Sequence, residues 1–289
     1  MRYSGIFMSF LNQISPKEKY LYSLAILIMV GSFFVFNSML FSLTFSFLVL
    51  LIVEQRYTQA KILRKNNDNY YQVESLLSIY SHLKFQASIP TTRGMAASPD
   101  FLKLIMETII SNKPELIVEL GSGTSTIIAA KTLEKLKSGF LLSIDNDAKF
   151  AEQTRQRITL ETLEKYSEVI TSELKDITVN GESYNWYDTS FLEKIDRKIE
   201  LLIVDGPPRI INKNARFPAI PLLKKYFTDD MVILLDDGRR QDEQNTVKLW
   251  LKELDKFNVD YFNTEKGTFK LSKIEEYVQN KHGLEILNE

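Results

Sequence analysis

The chain has 289 residues, with 36 Lys and Arg against 37 Asp and Glu, and a formal net charge of −1. Nucleic-acid proteins normally carry a clear excess of basic residues that neutralise phosphates, so a polynucleotide partner is not expected. The sequence contains two His and no Cys. This excludes a disulfide scaffold, a cysteine nucleophile and a Cys-ligated metal, and any metal site must be built mainly from carboxylates.

Residues 20–53 form one long run without a charged side chain. As a single helix this run would be about 50 Å long, well over the roughly 30 Å hydrocarbon core of a bilayer. The polar pair Asn37-Ser38 lies near its middle and predicts the turn of a transmembrane helical hairpin. Lys and Arg flank the run on both sides, which favours the cytoplasm for both ends and for the domain that follows. The alternatives are a cleaved signal peptide, whose apolar region is shorter, and one tilted helix.

Outside this anchor, three further parts of the chain are expected: a cytosolic or interfacial N-terminus at 1–19, a linker helix at 54–89 and a C-terminal domain at 90–289. The linker carries apolar residues at helical spacing, namely Val73, Leu76, Leu77, Tyr80 and Leu83. This spacing predicts one apolar stripe that packs on the C-terminal domain. A dimerising coiled coil is the alternative, and it would make the chain an oligomer.

After Pro114 the sequence alternates apolar strand segments with helical segments, which is the pattern of a parallel sheet covered on both faces. Strands are predicted at 116–120, 140–144, 168–171, 200–204, 231–235, 259–263 and 268–271. Helices are predicted at 99–111, 126–136, 148–166, 218–227 and 242–256. The predicted fold class is α/β, a doubly wound, Rossmann-like sheet of seven strands that ends in an antiparallel hairpin.

A glycine-rich turn follows the first predicted strand. Gly121 and Gly123 let the backbone turn sharply and let a ligand approach the main chain without meeting a Cβ. The second strand ends at Asp145, where a carboxylate can accept hydrogen bonds from ribose hydroxyls. Together these features predict an adenosine-containing ligand. Taken singly, the glycines would serve a bare turn and Asp145 would cap the following helix.

Thr126 stands where a dinucleotide site needs a third small residue, which argues against a nicotinamide cofactor. The run Glu119-Leu120-Gly121-Ser122-Gly123-Thr124-Ser125-Thr126 resembles the first motif of class I S-adenosylmethionine (SAM)-dependent methyltransferases. It is most similar to that of small-molecule O-methyltransferases with later Ile-Asp, Val-Asp-Gly-Pro-Pro and Asp-Asp motifs, which are matched here at 144–145, 204–208 and 236–237. The resemblance covers residues from about 91 to 271 and leaves the apolar anchor unmatched.

The resemblance implies that SAM is the cofactor. By this similarity Glu119 and the two glycines shape the pocket for the methionine end, Asp145 holds the ribose, and residues 172–174 lie near the adenine. The residues assigned to the cofactor in this way are Glu119, Gly121, Ser122, Gly123, Thr124, Ser125, Asp145, Leu174 and Asp205.

Acidic residues end the next two parallel strands, at Asp205 and at Asp236-Asp237. Because strand ends meet at one edge of a sheet, these carboxylates are expected to converge and to repel one another unless a cation neutralises them. An all-oxygen set suits Mg²⁺, and the arrangement resembles metal-dependent O-methyltransferases. In the alternative, the acids bind backbone amides at helix starts. Asp205 and Asp237 are the candidate catalytic residues, because no obvious general base follows Gly206-Pro207-Pro208.

Three other features have open interpretations. The aromatic run 184–188 predicts either a wall of the acceptor pocket or a surface cluster. Arg93-Gly94-Met95 predicts either a connecting loop or a flap over the cofactor. Arg239-Arg240 predicts either a partner for the acid pair or a site for an anionic acceptor.

The function predicted from these residues is a membrane-anchored enzyme, facing the cytoplasm, that transfers a methyl group from SAM to a hydroxyl. The acceptor would be a small molecule or a lipid-linked or sugar-linked group. The alternatives are a non-catalytic membrane adaptor with a degenerate methyltransferase fold and an NAD-dependent oxidoreductase.

Overall fold

The computed structural model describes residues 39–274 and isolated positions between residues 20 and 34. The chain divides into two compact units, Met1–Tyr70 and Tyr71–Glu289. The predicted N-terminal segment 1–19 and the predicted turn at Asn37-Ser38 lie outside the described residues, and both stay predictions.

The helix α1 spans Met39–His82. It runs through residue 54 without a break, so the second half of the predicted hairpin and most of the predicted linker are one helix. Most of its large apolar side chains between Phe41 and Ile52 are exposed. Within the part of the chain that the structure describes, no helix combines the length and the apolar character needed to cross a membrane.

The packed face of α1 in the second unit differs from the predicted stripe. Val73, Leu77 and Tyr80 are 54%, 65% and 48% exposed, so their assignment to the packed face is wrong. The buried positions of the helix in this unit are instead Gln72, Ser75 and Ile79, while Leu83 of the predicted stripe, just after the helix, is buried as predicted. Gln72 is drawn inward because its side chain exchanges two hydrogen bonds with Asp100, at 2.8 and 3.2 Å. Because this face carries polar and small residues, apolar periodicity in the sequence did not indicate it. The alternative of a dimerising coiled coil stays a prediction.

Nine strands follow within residues 116–273 of the described chain, and seven of them form the main sheet. The strands are β1 Leu116–Leu120, β2 Phe140–Asp145, β3 Ser167–Thr171, β4 Leu174–Val179, β5 Glu182–Tyr187, β6 Ile199–Val204, β7 Phe227–Leu235, β8 Phe257–Phe262 and β9 Thr268–Lys273. The sheet order is β3-β2-β1-β6-β7-β9-β8. Its first five members are parallel, and β9 pairs antiparallel with both β7 and β8. The predicted α/β sheet of seven strands with a terminal antiparallel hairpin is therefore confirmed.

Helices cover both faces of this sheet. They are α2 Pro99–Asn112, α3 Thr124–Leu136, α4 Ala148–Leu160, α5 Ala219–Leu223 and α6 Gln241–Glu253. Alternate residues of the central strands enter two separate cores: Ile117 and Leu201 pack with α2, α3 and α4, whereas Val118 and Leu202 lie in the core that contains α5 and Trp250 of α6. The predicted helix at 148–166 ends early, because residues 161–166 form turns before β3. The predicted helix at 218–227 is one short turn of α-helix and a 3-10 turn.

The sequence prediction missed the hairpin of β4 and β5, which lies between β3 and β6 in the chain. Its two-residue turn is Asn180-Gly181, and both residues have positive φ, 52° and 84°. An Asn-Gly pair between alternating segments is a strong hairpin signal, so this element was readable from the sequence.

Candidate active site

Strand register places the predicted site residues in one row along the sheet. Leu120 of β1 pairs with Ile144 of β2 and with Val204 of β6, and Val204 pairs with Leu235 of β7. The residues that come next in each strand or turn are Gly121, Asp145, Asp205 and Asp236. Strands β2 and β3 lie on one side of β1, and β6 and β7 lie on its other side. The row therefore crosses the topological switch point, where ligands bind in open α/β sheets.

The turn after β1 packs tightly against the turn after β6. Gly121 has φ +97°, and a Cβ there would lie 3.0 Å from the amide nitrogen of Gly206. A Cβ on Gly206 would in turn lie 3.1 Å from the Cα of Gly121 and 2.2 Å from the hydroxyl of Tyr187. Both glycines are therefore required by close backbone packing, in addition to the sharp turn at Gly121. Gly123 differs, because a Cβ there would meet nothing within 4 Å.

Glu119 lies beneath this turn and is completely buried. Its Oε2 accepts hydrogen bonds from Thr126 Oγ1 and Ser143 Oγ, each at 2.6 Å. Thr126 Oγ1 also accepts a hydrogen bond from the amide of Gly123 at 2.9 Å, so the threonine joins the carboxylate to the turn. Burial raises the pKa of Glu119 from 4.5 to about 7, although hydrogen bonds from neighbouring hydroxyls act in the opposite direction.

Asp145 holds the glycine-rich turn from the neighbouring strand. Its Oδ2 accepts hydrogen bonds from the amide and the hydroxyl of Ser122, at 2.9 and 2.6 Å. Its Oδ1 accepts from the amide of Asp147 at 2.9 Å. The cap of α4 is Asp147, whose Oδ1 accepts from the amides of Lys149 and Phe150. Asp145 therefore does not cap that helix, and its carboxylate faces the turn.

The other residues predicted to contact the cofactor surround the same turn. Thr124 and Ser125 are buried in the first turn of α3, and Thr124 Oγ1 lies 3.3 Å from the carbonyl oxygen of Thr91. Leu174 is half-buried at the start of β4. The chain before it turns back to the row, since the amide of Ser172 donates to the carbonyl oxygen of Asp145 at 2.7 Å.

The three acids that end β6 and β7 converge. Asp205, Asp236 and Asp237 each offer a carboxylate oxygen, and these oxygens lie within 4.8 Å of one another. Asp236 is fully buried and Asp237 nearly so, whereas the side chain of Asp205 is 19% exposed. Burial raises the pKa of Asp205, and the Arg216 guanidinium opposes this effect. Asp205 is thus the acid of this group that reaches the surface.

Arg216, which the sequence prediction missed, lies among these acids and is 3% exposed. Its Nη2 contacts Asp237 Oδ2 at 2.8 Å, Asp205 Oδ1 at 3.1 Å and the carbonyl oxygen of Asp205 at 2.6 Å. Its Nη1 donates to the carbonyl oxygen of Asp236 at 2.9 Å and lies 3.6 Å from Glu243 Oε1. A guanidinium therefore already neutralises part of the charge for which the sequence suggested a metal ion.

Asp236 is the least solvated acid of the cluster. Burial raises its pKa from 3.8 to about 8, and the charges of Asp205 and Asp237 act in the same direction. Lys266 Nζ lies 4.0 Å from its Oδ2, and Thr268 Oγ1 lies 3.5 Å from its Oδ1. Asp236 therefore holds a proton more readily than an exposed aspartate does, which relieves part of the expected repulsion.

The three aromatic side chains of the run 184–188 are buried, so the alternative of a surface cluster is wrong. Trp186 and Tyr187 are completely buried, and Trp186 contacts Tyr187 and Phe191 at ring-centroid distances of 5.2 and 6.1 Å. Burial raises the pKa of Tyr187 well above its ordinary value. Its hydroxyl has no hydrogen-bond partner among the described residues. The aromatic residues of this run therefore belong to the core, and the hydroxyl of Tyr187 lies beside Gly206 in the turn after β6.

The two arginine features both contact parts of the site. Arg240 Nη1 lies 2.5 Å from Asp237 Oδ2, which fits the predicted pairing with the acids. Arg239 instead donates to the turn between β8 and β9, at Asn263 and Thr264. Arg93 Nε donates to Glu265 Oε2 of that turn at 2.7 Å, so the loop around residue 93 is tied to the hairpin.

Comparison with known proteins finds a family model that matches part of the chain. Residues 118–238 match a family model described as a methyltransferase domain, which spans somewhat less than half of the chain and includes the whole row of strand ends. A search of curated protein sequences finds no match. The predicted enzyme class, a methyltransferase, is confirmed by the family match.

Solved structures with a similar fold share little sequence with this chain. The methyltransferase PaMTH1 of Podospora anserina, bound to SAH, the demethylated product of SAM, is 14% identical to this chain with a TM-score of 0.48, over 63% of this chain and 81% of that one. The O-methyltransferase TomG of Streptomyces achromogenes, in complex with SAM, is 17% identical with a TM-score of 0.47, over 62% and 82%. An O-methyltransferase of Bacillus cereus in complex with SAH is 16% identical with a TM-score of 0.47, over 70% and 90%. At these values the comparison carries no argument about the reaction of this chain.

Proposed function

We propose that this protein transfers a methyl group from SAM to a hydroxyl oxygen of a small-molecule, lipid-linked or sugar-linked acceptor. The observation that carries the proposal is the direct hydrogen bond, 2.9 Å long, from the amide of Ser122 to Asp145. It joins the glycine-rich turn of β1 to the acidic end of β2, so that both can contact one adenosine-containing ligand at the switch point.

The residues present fit SAM. Gly123 faces open space where a Cβ would otherwise project, which leaves room for a ligand against the main chain. Glu119 Oε1 lacks a well-aligned hydrogen bond within the described residues and can accept one from an ammonium group near the turn. When bound, SAM supplies a methyl group activated by its positive sulfonium.

Asp205 is the group best placed to take the proton from the acceptor. It is the most exposed of the three acids, and burial raises its pKa toward the range in which a carboxylate is an effective base. With SAM bound, its activated methyl group would pass to the hydroxyl oxygen, and Asp205 would accept the hydroxyl proton on a carboxylate oxygen. Asp237 is less suited to this role because Arg216 and Arg240 both pair with its Oδ2.

A divalent cation fits the cluster poorly as the side chains stand. The carboxylates have suitable oxygens within 4.8 Å, but one guanidinium already binds two of the three. We therefore assign no step of the reaction to a metal ion.

The location of the enzyme is a further part of the proposal. We place residues 20–53 in a membrane and the methyltransferase domain on its cytoplasmic side. The absence of charge from this run, the basic residues on both sides of it and the exposed apolar side chains of α1 support this placement. Protease treatment of sealed inside-out and right-side-out vesicles tests it, because a domain that is cleaved only in right-side-out vesicles would contradict the cytoplasmic orientation.

The reaction is tested with the full chain and SAM that carries a tritiated methyl group, offered with a panel of phenols, sugars and lipid-linked sugars. We expect methylation of at least one hydroxyl. The substitution Asp205→Asn is expected to lower kcat about 100-fold or more, because the proton acceptor is lost, while affinity for the demethylated product SAH stays within about 3-fold. The matched control Asp255→Asn changes an exposed aspartate and should leave kcat unchanged. Binding of SAH without turnover on any acceptor would favour the adaptor alternative.

A further inference from the structure

We propose that Arg216 is the permanent cation of the acidic cluster, so that this site needs no divalent metal ion. The inference rests on the proposed function only for the identity of the reaction, because the ion content of the cluster can be measured without any acceptor.

The guanidinium binds main chain and side chains of both strand ends at once. It contacts the carboxylates of Asp205 and Asp237 and the carbonyl oxygens of Asp205 and Asp236. These four oxygens belong to the residues that directly follow β6 and β7, where the chain leaves the sheet. Arg216 therefore fixes the spacing of the two strand ends as well as the charge between them, which makes it a positioning residue for Asp205.

The charges of the cluster are nearly balanced by the protein itself. Four acidic side chains lie together, namely Asp205, Asp236, Asp237 and Glu243. Arg216 contacts three of them within 3.6 Å, Arg240 lies 2.5 Å from Asp237, and Lys266 lies 4.0 Å from Asp236. Three basic groups therefore already face these acids, and a divalent cation would bring an excess of positive charge.

Geometry also opposes a metal ion. Mg²⁺ requires oxygens at about 2.0–2.1 Å in near-octahedral arrangement. The Nη2 atom of Arg216 is 2.8 and 3.1 Å from Asp237 Oδ2 and Asp205 Oδ1, so it already occupies one oxygen of each carboxylate. An ion that used these two oxygens could enter only if this buried arginine left.

The neighbours of Arg216 hold it in place. Phe217 is 5% exposed, and its carbonyl oxygen accepts a hydrogen bond from the indole of Trp250 at 2.9 Å. The amide of Phe217 donates to the carbonyl oxygen of Asn214 at 2.8 Å. These bonds fix the main chain beside the arginine, and the guanidinium itself is held by its four contacts to the strand ends.

The experiment measures Mn²⁺ binding by electron paramagnetic resonance of the free ion in titrations of the full-length protein. We expect the wild type to bind no stoichiometric Mn²⁺ with a Kd below about 1 mM. The variant Arg216→Met removes the guanidinium and should bind one Mn²⁺ at least tenfold more tightly. The matched control Arg209→Met changes an exposed arginine of the same segment and should behave as the wild type.

The wild-type titration decides the question even if Arg216→Met does not fold. One equivalent of Mn²⁺ bound with micromolar Kd by the wild type, and lost in Asp237→Asn, would overturn the proposal. A folded Arg216→Met that binds no more Mn²⁺ than the wild type would also overturn it. SAH affinity is measured on the same samples, so that failure of the cofactor proposal, which appears as absent SAH binding, is distinguished from failure of the Arg216 proposal.

Discussion

The buried carboxyl of Glu119 predicts a specific dependence of stability on pH. Its pKa is 4.5 in an exposed setting and about 7 in the folded protein, because burial disfavours the charged form. The folded state therefore binds the proton more tightly than the unfolded state does. The contribution of this group to the free energy of unfolding is fully present below a pH of about 4.5. It decreases as the pH rises and is lost above a pH of about 7.

The magnitude follows from the same two values. At about 1.4 kcal/mol per pH unit, the difference corresponds to roughly 3 kcal/mol in the free energy of unfolding. Between pH 5 and pH 8 the expected loss is about 2.5 kcal/mol, because part of the decline has already occurred at pH 5. This is a large share of the 5–15 kcal/mol that typically stabilises a domain.

The substitution Glu119→Gln removes the titration and keeps the shape of the side chain. Its amide oxygen can still accept the hydrogen bonds from Thr126 and Ser143. Urea unfolding of the full chain, followed by circular dichroism at several pH values between 5 and 8, measures the free energy of unfolding. The wild type should lose about 2.5 kcal/mol more than the variant over this range. Other titrating groups, including Asp236, occur in both proteins and cancel in the comparison.

The control Glu164→Gln changes an exposed glutamate and should leave the pH dependence of the wild type unaltered. If Glu119→Gln retained the full wild-type decline between pH 5 and 8, the carboxyl would not be buried as the structure shows, and the reasoning about the turn above it would be refuted.

Three further predictions test other contacts. Ile79→Ala in α1 should destabilise the protein by about 2–4 kcal/mol, since Ile79 is fully buried. Leu77→Ala changes an exposed side chain and should cost less than about 0.5 kcal/mol. Equal costs in thermal denaturation would contradict the corrected face of the helix. Gly206→Ala should lower the melting temperature because its Cβ meets the hydroxyl of Tyr187, and Tyr187→Phe should restore part of the loss; additive effects would show that the two do not touch. Asp145→Ala should weaken SAH binding about tenfold or more in calorimetry, and unchanged affinity would remove this residue from the cofactor site.

The predicted strand ends were readable because the information is local. An apolar strand, a glycine-rich turn and a terminal acid follow one another in the sequence, and parallel register then brings Gly121, Asp145 and Asp205 into one row. The exact bounds of helices were less readable. The turns at 161–166 continue the polar composition of α4, so composition alone did not mark its end.

Arg216 was not readable because its contacts are not local. It lies 11 residues from Asp205 and 21 from Asp237, in a segment without helical or strand periodicity. The sequence showed three acids and, directly after the acid pair, only Arg239-Arg240 as a possible cationic partner, so a metal ion was the natural inference for the remaining charge. The prediction of the packed face of α1 was wrong for a related reason. Gln72 is buried because its side chain forms hydrogen bonds with Asp100, and a polar residue adds nothing to an apolar pattern.

A calorimetric titration of the full chain with SAH tests the shared pocket most directly, with Gly123→Ala as the paired variant. The added methyl group meets no protein atom within 4 Å, so the variant should fold as the wild type does. The account predicts one SAH per chain in the wild type and at least tenfold weaker binding in Gly123→Ala, because the methyl group projects into the space that the ligand needs. A folded wild type that binds no SAH, or a Gly123→Ala variant with undiminished affinity, would contradict it.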